Sequence, residues 1–339
     1  MNMKFDLKDI SIIPAVISNI KSRSECKTRR DNFLPLMAAP MDTVVCPENV
    51  NAYIKNNIIP CLPRGEFLKN QDKNIFHSFG LAEIEEQLYR PIKEPNDFVN
   101  FSYVLIDIAN GHMERLVNII KLIKQKYPNI KLMVGNIAHP LTYKNLALAG
   151  ADYIRCSIGT GAGCTTAANV AINYPVGSLI YECKQIKIES NLDAKIIADG
   201  GMQGYDDIIK ALALGADYVM IGSLFNKTMQ SSGTNHLFRI KIPYNLARVL
   251  WRWGLPVKKK YRGMSTKAVQ RKWGKTKMVT AEGITKYQKI EYNLSQWVEN
   301  FEDYLKSNMS YCGALTLNEF IGEVEWKYIT YNALKRFQK

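Results

Sequence analysis

The chain has 339 residues, 47% of them apolar, enough for one large α/β barrel or two ordinary domains with a sizeable core. Its formal charge of +14 favours anionic partners, phosphorylated metabolites or nucleic acid, and the absence of a zinc-finger, RNP or aromatic-basic pattern makes nucleic acid the weaker choice. No apolar run reaches signal-peptide or membrane-span length, so a cytoplasmic protein without a membrane partner is expected. Cys26, Cys46, Cys61, Cys156, Cys164, Cys183 and Cys312 form an odd set without close pairs, and the four histidines lack ligand spacing. A disulfide framework, a zinc cage or another tightly held transition metal is therefore disfavoured.

From residue 36 onward, short apolar runs alternate with helical stretches. "PLMAAP", "IIPCLP", "IFHSFGL", "YVLIDIA", "KLMVGNI", "YIRCSI", "AKIIADG" and "YVMIGSL" read as eight strands. Between the later ones, residues 113–127 and 141–150 carry apolar residues at helical spacing. The tetrapeptide Gly-Ala-Asp-Tyr occurs at 150–153 and again at 215–218, each time leading into a strand. Eight strands with an echoed helix-turn-strand junction favour a (β/α)8 TIM barrel over a doubly wound sheet.

Residues 1–339 are thus expected to form a single barrel domain. Residues 226–285 read as a basic, tryptophan-bearing, irregular excursion at the active face, and the stretch from Leu294 to Thr330 as a helix that closes the barrel or makes a subunit contact. In such a barrel the loops after the strands form the active face, which predicts that Asp42, Asp107, Cys164, Asp199 and Ser223 converge.

Two stretches invite chemistry. "SIGTGAGCTT" (157–166) places glycines, whose backbones tolerate tight turns, before Cys164. Loop amides there can favour a thiolate nucleophile and loop carbonyls can ring a monovalent cation, although a small buried filler also fits. Thr165 and Thr166 suit a helix N-cap. "IIADGG" (196–201) and "VMIGS" (219–223) end two successive strands in glycines and a serine, a common phosphate cradle, with Asp199 placed to accept from ribose hydroxyls; ordinary structural turns would also account for them.

Read together, "KSRSEC" (21–26), "AAPMDTV" (38–44), "IDIANGH" (106–112), Gly135-Asn136, "GTGAGCTT", "IIADGG", "ALALGADYVMIGS", "YRGMS" (261–265) and "AEG" (281–283) resemble the IMP dehydrogenase and GMP reductase family over nearly the entire chain. The resemblance implies that Cys164 attacks C2 of a purine mononucleotide and that the adduct exchanges hydride with a nicotinamide cofactor. It implies that Asp199, Gly200, Gly201, Gly222, Ser223, Gly263, Met264, Ser265 and Gly283 hold the nucleotide. It implies a potassium ion near the backbone of Gly159, Gly161 and Cys164. Asp107, Ile108, Ala109, Ile158 and Gly159 would face the nicotinamide end. Ser22, Arg23 and the run Ser307, Asn308, Met309 and Ser310 would lie near the cofactor's far end, across a subunit boundary of a homotetramer.

Within that family the chain is most similar to GMP reductase, which uses NADPH and expels ammonia. A threonine paired with a glutamate serves amine departure in that branch, and Thr166 and Glu282 stand at those positions. The segment 265–283 holds no Arg-Tyr dipeptide of the kind dehydrogenases use for hydrolysis, and there is no room for inserted regulatory domains. Pro40, where reductases usually have asparagine, and Val279, where a basic residue is common, depart from the reductase pattern, and the segment around Trp251 and Trp253 has no family counterpart. An IMP dehydrogenase without regulatory domains, a catalytically silent nucleotide-binding barrel and a flavin-dependent barrel are the alternatives.

Overall fold

Between Leu36 and Ile221 the chain forms eight parallel strands that close on themselves in the computed structural model, which describes residues 3–68, 74–91, 94–272, 280 and 282–337. A short strand β1 (Ile10–Ile12) comes first. The barrel strands are β2 (Leu36–Ala38), β3 (Ile59–Leu62), β4 (Phe76–Phe79), β5 (Tyr103–Asp107), β6 (Lys131–Ile137), β7 (Tyr153–Cys156), β8 (Lys195–Asp199) and β9 (Tyr218–Ile221). Closure is made by β9 against β2, with Met37 opposite Met220. All eight predicted apolar runs supply these strands. Period-two alternation sorts their side chains: Leu105, Met133, Ile197 and Met220 fill the barrel, while Val104, Val134, Ile196 and Val219 face the helices.

The helices follow from equally local causes. Glu114–Lys126 buries Leu116, Ile119, Ile120 and Ile123, a stripe at i, i+3, i+4 and i+7. The next helix begins at Pro140, where the missing N–H costs nothing, and His139 Nδ1 accepts from Leu141 N at 3.1 Å.

The Gly-Ala-Asp-Tyr echo has a mechanical explanation. Gly150 and Gly215 sit at φ +109° and +115°, where the chain turns from helix to strand. Asp152 then accepts from Leu132 N of β6 at 2.8 Å and pairs with Lys124 at 2.6 Å. Asp217 repeats this with Ile196 N of β8 at 2.9 Å and Lys187 at 2.7 Å. Each aspartate therefore ties the start of its own strand to the strand before it.

The described residues of the segment read as an irregular excursion are largely regular, which corrects the sequence expectation. Strands β10 (Asn235–Leu237), β11 (Ile240–Ile242), β12 (Lys258–Arg262) and β13 (Thr285–Lys289) form an antiparallel sheet in the order β11-β10-β12-β13. The helix Tyr244–Arg252 packs on it, and Met229, Ala247, Val257 and Ile290 form a small core of their own. Charge concealed this sheet in the sequence. In "KKKYR", Lys259 and Tyr261 point inward and Lys258 faces solvent, so a strand pattern is written partly in lysines.

The closing helix runs from Leu294 only to Cys312, because Gly313 turns left-handed at φ +74° and caps it. This shortens the predicted helix. It is followed by a one-turn helix, Leu317–Phe320, and by β14 (Trp326–Tyr328), which pairs with β1, Ile10 opposite Tyr328.

Lys259 is fully buried and donates to the Ser231 carbonyl at 2.6 Å; burial pushes its pKa down from 10.5 to about 7. Between those two values the unfolded chain holds a proton that the folded chain has released, so stability rises with pH through this window. Lys259→Met should therefore raise stability by roughly 2 to 4 kcal/mol below pH 7, an advantage that shrinks as pH approaches 10.5. Denaturant midpoints measured across that range check it, and a pH-independent difference would contradict it.

Candidate active site

Three glycines from distant parts of the chain meet at the mouth of the barrel. A Cβ on Gly263 would lie 2.4 Å from the Gly163 carbonyl oxygen, and one on Gly163 would lie 2.9 Å from the Tyr261 ring. A Cβ on Gly283 would come within 3.4 Å of both Gly163 O and Gly263 Cα. At positions 163 and 263 only bare backbone fits. The approach lets Ile284 N donate to Gly163 O and Gly263 N to Ile284 O, each at 3.0 Å, and Thr165 N to Glu282 O at 2.8 Å. Cys164 and Gly283 pair as an isolated antiparallel bridge.

That bridge delivers a carboxylate to the cysteine loop. The Cys164 thiol donates to Thr166 Oγ1 at 3.2 Å, and the Thr166 hydroxyl donates to Glu282 Oε2 at 2.5 Å. Thr165 occupies the N-cap position of the helix Thr166–Val170 without a side-chain capping bond, so the expected cap is backbone only. Burial pushes the pKa of Cys26, Cys46, Cys61, Cys183 and Cys312 upward and keeps them protonated.

Arg155, which sequence reasoning did not single out, projects into the top of the barrel from β7. Its guanidinium lies 2.6 Å from Asp107 and 2.8 Å from Asp199, and Asn136 Nδ2 donates to Asp199 at 2.6 Å. Burial opposes its charge, but the two carboxylates more than offset this and raise its pKa. Arg155 thus bridges Asp107 and Asp199, and Arg64 Nε lies 3.7 Å from the other oxygen of Asp107. The pairing was hidden because an inward arginine in an apolar strand has no local signature.

The cradle loops pack around this pair. Gly200 and Gly201 hold φ of +91° and +86° against Thr160 and Gly161, while Gly159 holds +85°. A Cβ on Gly222 would lie 2.9 Å from Met41 Sδ. Ser223 Oγ donates to Gln288 Oε1 of β13 at 3.0 Å, and Arg262 pairs with Asp42. Met264 and Ser265 are half-buried at the turn after β12. Asp42, Asp107, Cys164, Asp199 and Ser223 therefore share one face. Ile158 and Ile108 are half-buried there, and Ala109 is exposed at the rim above β5. Pro40 is buried just after β2, and Val279 lies outside the described residues.

The second predicted cluster sits elsewhere. Ser22 starts the turn Arg23–Glu25, Arg23 Nη2 is 3.9 Å from Asp303, and Ser18 Oγ donates to Ser310 O. Ser310 Oγ donates to Ser307 O, Asn308 accepts from Cys312, and Met309 is buried. Nearby, Lys27 bridges Thr316, and Arg30 reaches Asp217, the residue before β9. This cluster thus lies where the strands begin, at the opposite end of the barrel from Cys164 in the same chain.

The model of the "IMP dehydrogenase / GMP reductase domain" matches residues 97–338. The chain belongs to this family. It is therefore an oxidoreductase of the family that includes GMP reductase and IMP dehydrogenase. It is 28% identical to a GMP reductase of Shewanella halifaxensis, over 94% of this chain and 92% of that protein. A GMP reductase of Vibrio atlanticus is 29% identical with the same coverage. An inosine-5'-monophosphate dehydrogenase of Chlorobaculum parvum is 33% identical over 68% of this chain, but over only 46% of that enzyme.

Because only hydrogen fits at position 263, Gly263→Ala must push the turn after β12 away from the cysteine loop. A displacement of about 1 Å at a reacting centre costs on the order of 100-fold in turnover. We expect that loss with an unchanged far-UV circular dichroism spectrum; wild-type turnover would mean that the glycine contact does not set the site.

Proposed function

We propose that the protein is a GMP reductase, converting GMP to IMP and ammonia at the expense of NADPH through covalent catalysis by Cys164. The observation that carries this reading is the hydrogen-bonded series from Cys164 through Thr166 to Glu282. Similarity to proteins named GMP reductase along nearly the whole chain, and a 265–283 segment without an Arg-Tyr dipeptide, support it.

The thiol proton passes along the series to Glu282 as sulfur bonds to C2 of the purine. The same relay, now protonated, returns a proton to the exocyclic amine, so that the C2–N bond breaks and ammonia leaves. This yields a thioimidate at C2. NADPH supplies a hydride to C2 when bound, and the C2–S bond then breaks to restore the Cys164 sulfur and release IMP. Two protons and one hydride are consumed per GMP, which balances IMP, ammonium and NADP+.

Asp199, oriented by Arg155 and Asn136, would accept from the ribose hydroxyls. Gly200, Gly201, Gly222 and Ser223 would cradle the phosphate. Gly263, Met264, Ser265 and Gly283 would border the base. For the nicotinamide, the half-buried Ile108 and Ile158 and the exposed Ala109 offer an accessible edge beside the site, with Asp107 held by Arg155. Ser22 and Arg23 pack beside the closing helix that carries residues 307–310, and no contact joins them to this edge among the described residues. A neighbouring subunit of a homotetramer would present them.

Among the described residues no cluster of three or more His, Cys, Asp or Glu side chains suits a metal ion. The carbonyls of Gly159, Gly161 and Cys164 instead suit potassium, which takes neutral oxygen ligands; Gly161 O already accepts from Cys164 N. No helix among the described residues is long and apolar enough to cross a membrane, and a cytoplasmic location is consistent with the use of NADPH.

The test is incubation with GMP and NADPH while NADPH absorbance and ammonia are followed together. Cys164→Ala should abolish turnover and spare GMP binding, whereas Glu282→Gln should slow ammonia release about 100-fold or more, and more than hydride transfer. Wild-type turnover by Cys164→Ala would end the covalent reading. Formation of XMP from IMP and NAD, without ammonia, would instead identify an IMP dehydrogenase, which Pro40 and the Chlorobaculum similarity favour.

A further inference from the structure

The net positive charge of this protein traces to one stretch of the chain. Between Tyr218 and Ala281 there are fourteen lysines and arginines and no aspartate or glutamate, which accounts for the entire net charge of +14 and leaves the rest of the chain neutral. Within that stretch lie strands β10, β11 and β12 of the four-stranded sheet and the helix Tyr244–Arg252, beside the active site but outside the barrel.

The outer surface of this sheet and helix is also apolar. The β10–β11 hairpin turns through Phe238 and Arg239, both at positive φ, and leaves Phe238 77% exposed and Ile240 68% exposed. The helix buries Ala247, Leu250 and Trp251 against the sheet. On another side it presents Leu246, Val249 and Trp253 to solvent at i, i+3 and i+7, with Trp253 75% exposed. Arg248 and Arg252 run beside that stripe, and Arg239, Lys241 and Lys258 are exposed around it. None of these five cations is ion-paired among the described residues.

We infer that this surface docks on an anionic phospholipid bilayer, with Phe238, Ile240, Leu246, Val249 and Trp253 entering the interface and the five cations meeting lipid phosphates and carboxylates. Steering of phosphorylated substrates accounts for the cations but leaves the apolar stripe without a role. A second copy presenting the same face would bring like charge against like charge. Single-stranded nucleic acid would match the cations and the rings of Phe238 and Trp253, but Ile240, Leu246 and Val249 have no π-face to stack on bases. Aliphatic and aromatic side chains ringed by arginine and lysine match the boundary between headgroups and acyl chains. Peripheral docking of this kind needs no membrane-spanning helix, and it revises the expectation that the protein has no membrane partner.

The test is co-sedimentation of the full chain with vesicles of phosphatidylcholine containing phosphatidylserine, against phosphatidylcholine alone, with a single-stranded RNA and a DNA duplex run in parallel. The wild type should pellet with the anionic vesicles, less so at high salt. Phe238→Ser with Trp253→Ser, and separately Arg248→Glu with Arg252→Glu, should each reduce vesicle binding about tenfold or more, with assembly size in sedimentation velocity unchanged. The inference fails if anionic vesicles pellet no more protein than neutral ones, or if both variants bind like wild type. It also fails if the variants change assembly size without wild-type vesicle binding, or if only nucleic acid is bound. Turnover is not a readout, so the result stands apart from the reaction assigned to the site.

Discussion

The contact on which the site depends is one between bare backbones. Gly163, Gly263 and Gly283 approach so closely that a single methyl group at position 263 would overlap a carbonyl oxygen. Side-chain packing can adjust by a rotamer change, whereas two hydrogen-bonded main chains at this separation have almost no freedom to do so. The stiffness has a chemical result. The carboxylate of Glu282 sits just ahead of a strand outside the barrel, yet it reaches Thr166 because the backbone of Glu282, Gly283 and Ile284 is locked to the cysteine loop. A longer flexible connection would leave the carboxylate in solvent for most of the time.

Two buried cations show how the protein uses charge in opposite ways. Arg155 lies between Asp107 and Asp199, and its partners outweigh the desolvation that burial imposes. Lys259 is buried with a carbonyl oxygen as acceptor, and desolvation lowers its proton affinity. The first arrangement holds two acidic side chains in place at the barrel mouth. The second costs stability near neutral pH, and the inner face of the β12 strand is where that cost is incurred. What decides the outcome is the presence of a carboxylate within contact distance.

The sheet β10–β13 therefore has two sides with different duties. Its inner edge, through Gly263, Gln288 and Gly283, meets the barrel mouth and brings Glu282 to Thr166. Its outer side carries the helix Tyr244–Arg252 and the Phe238 hairpin, and it holds a charge pattern unlike that of the barrel. The dehydrogenase and reductase readings share the cysteine loop and the proposed phosphate cradle and differ in the fate of the adduct, which is hydrolysed in one and in the other loses ammonia with help from an acid-base group. For that reason the Thr166–Glu282 contact bears on the reaction more than overall similarity does.

Sequence by itself determined the eight barrel strands, the two helix-to-strand junctions at Gly150 and Gly215, and the place of Cys164, because each is written in residues that are neighbours along the chain. Apolar runs of strand length, glycines at left-handed turns and an amphipathic stripe need no distant partner to be recognised. Tertiary structure alone decided that Arg155 would lie between Asp107 and Asp199, and that Ser22 and Ser310 would sit at the far end of the barrel. It also decided that "KKKYR" would be a strand with a lysine inside. The sequence could align Glu282 with Thr166 by resemblance, but their hydrogen bond joins residues 116 positions apart and exists only because the glycine contact folds that distance away. Local patterns record which backbone shape is cheapest, and long-range pairs record which surfaces meet, so the first is legible in one dimension and the second is not.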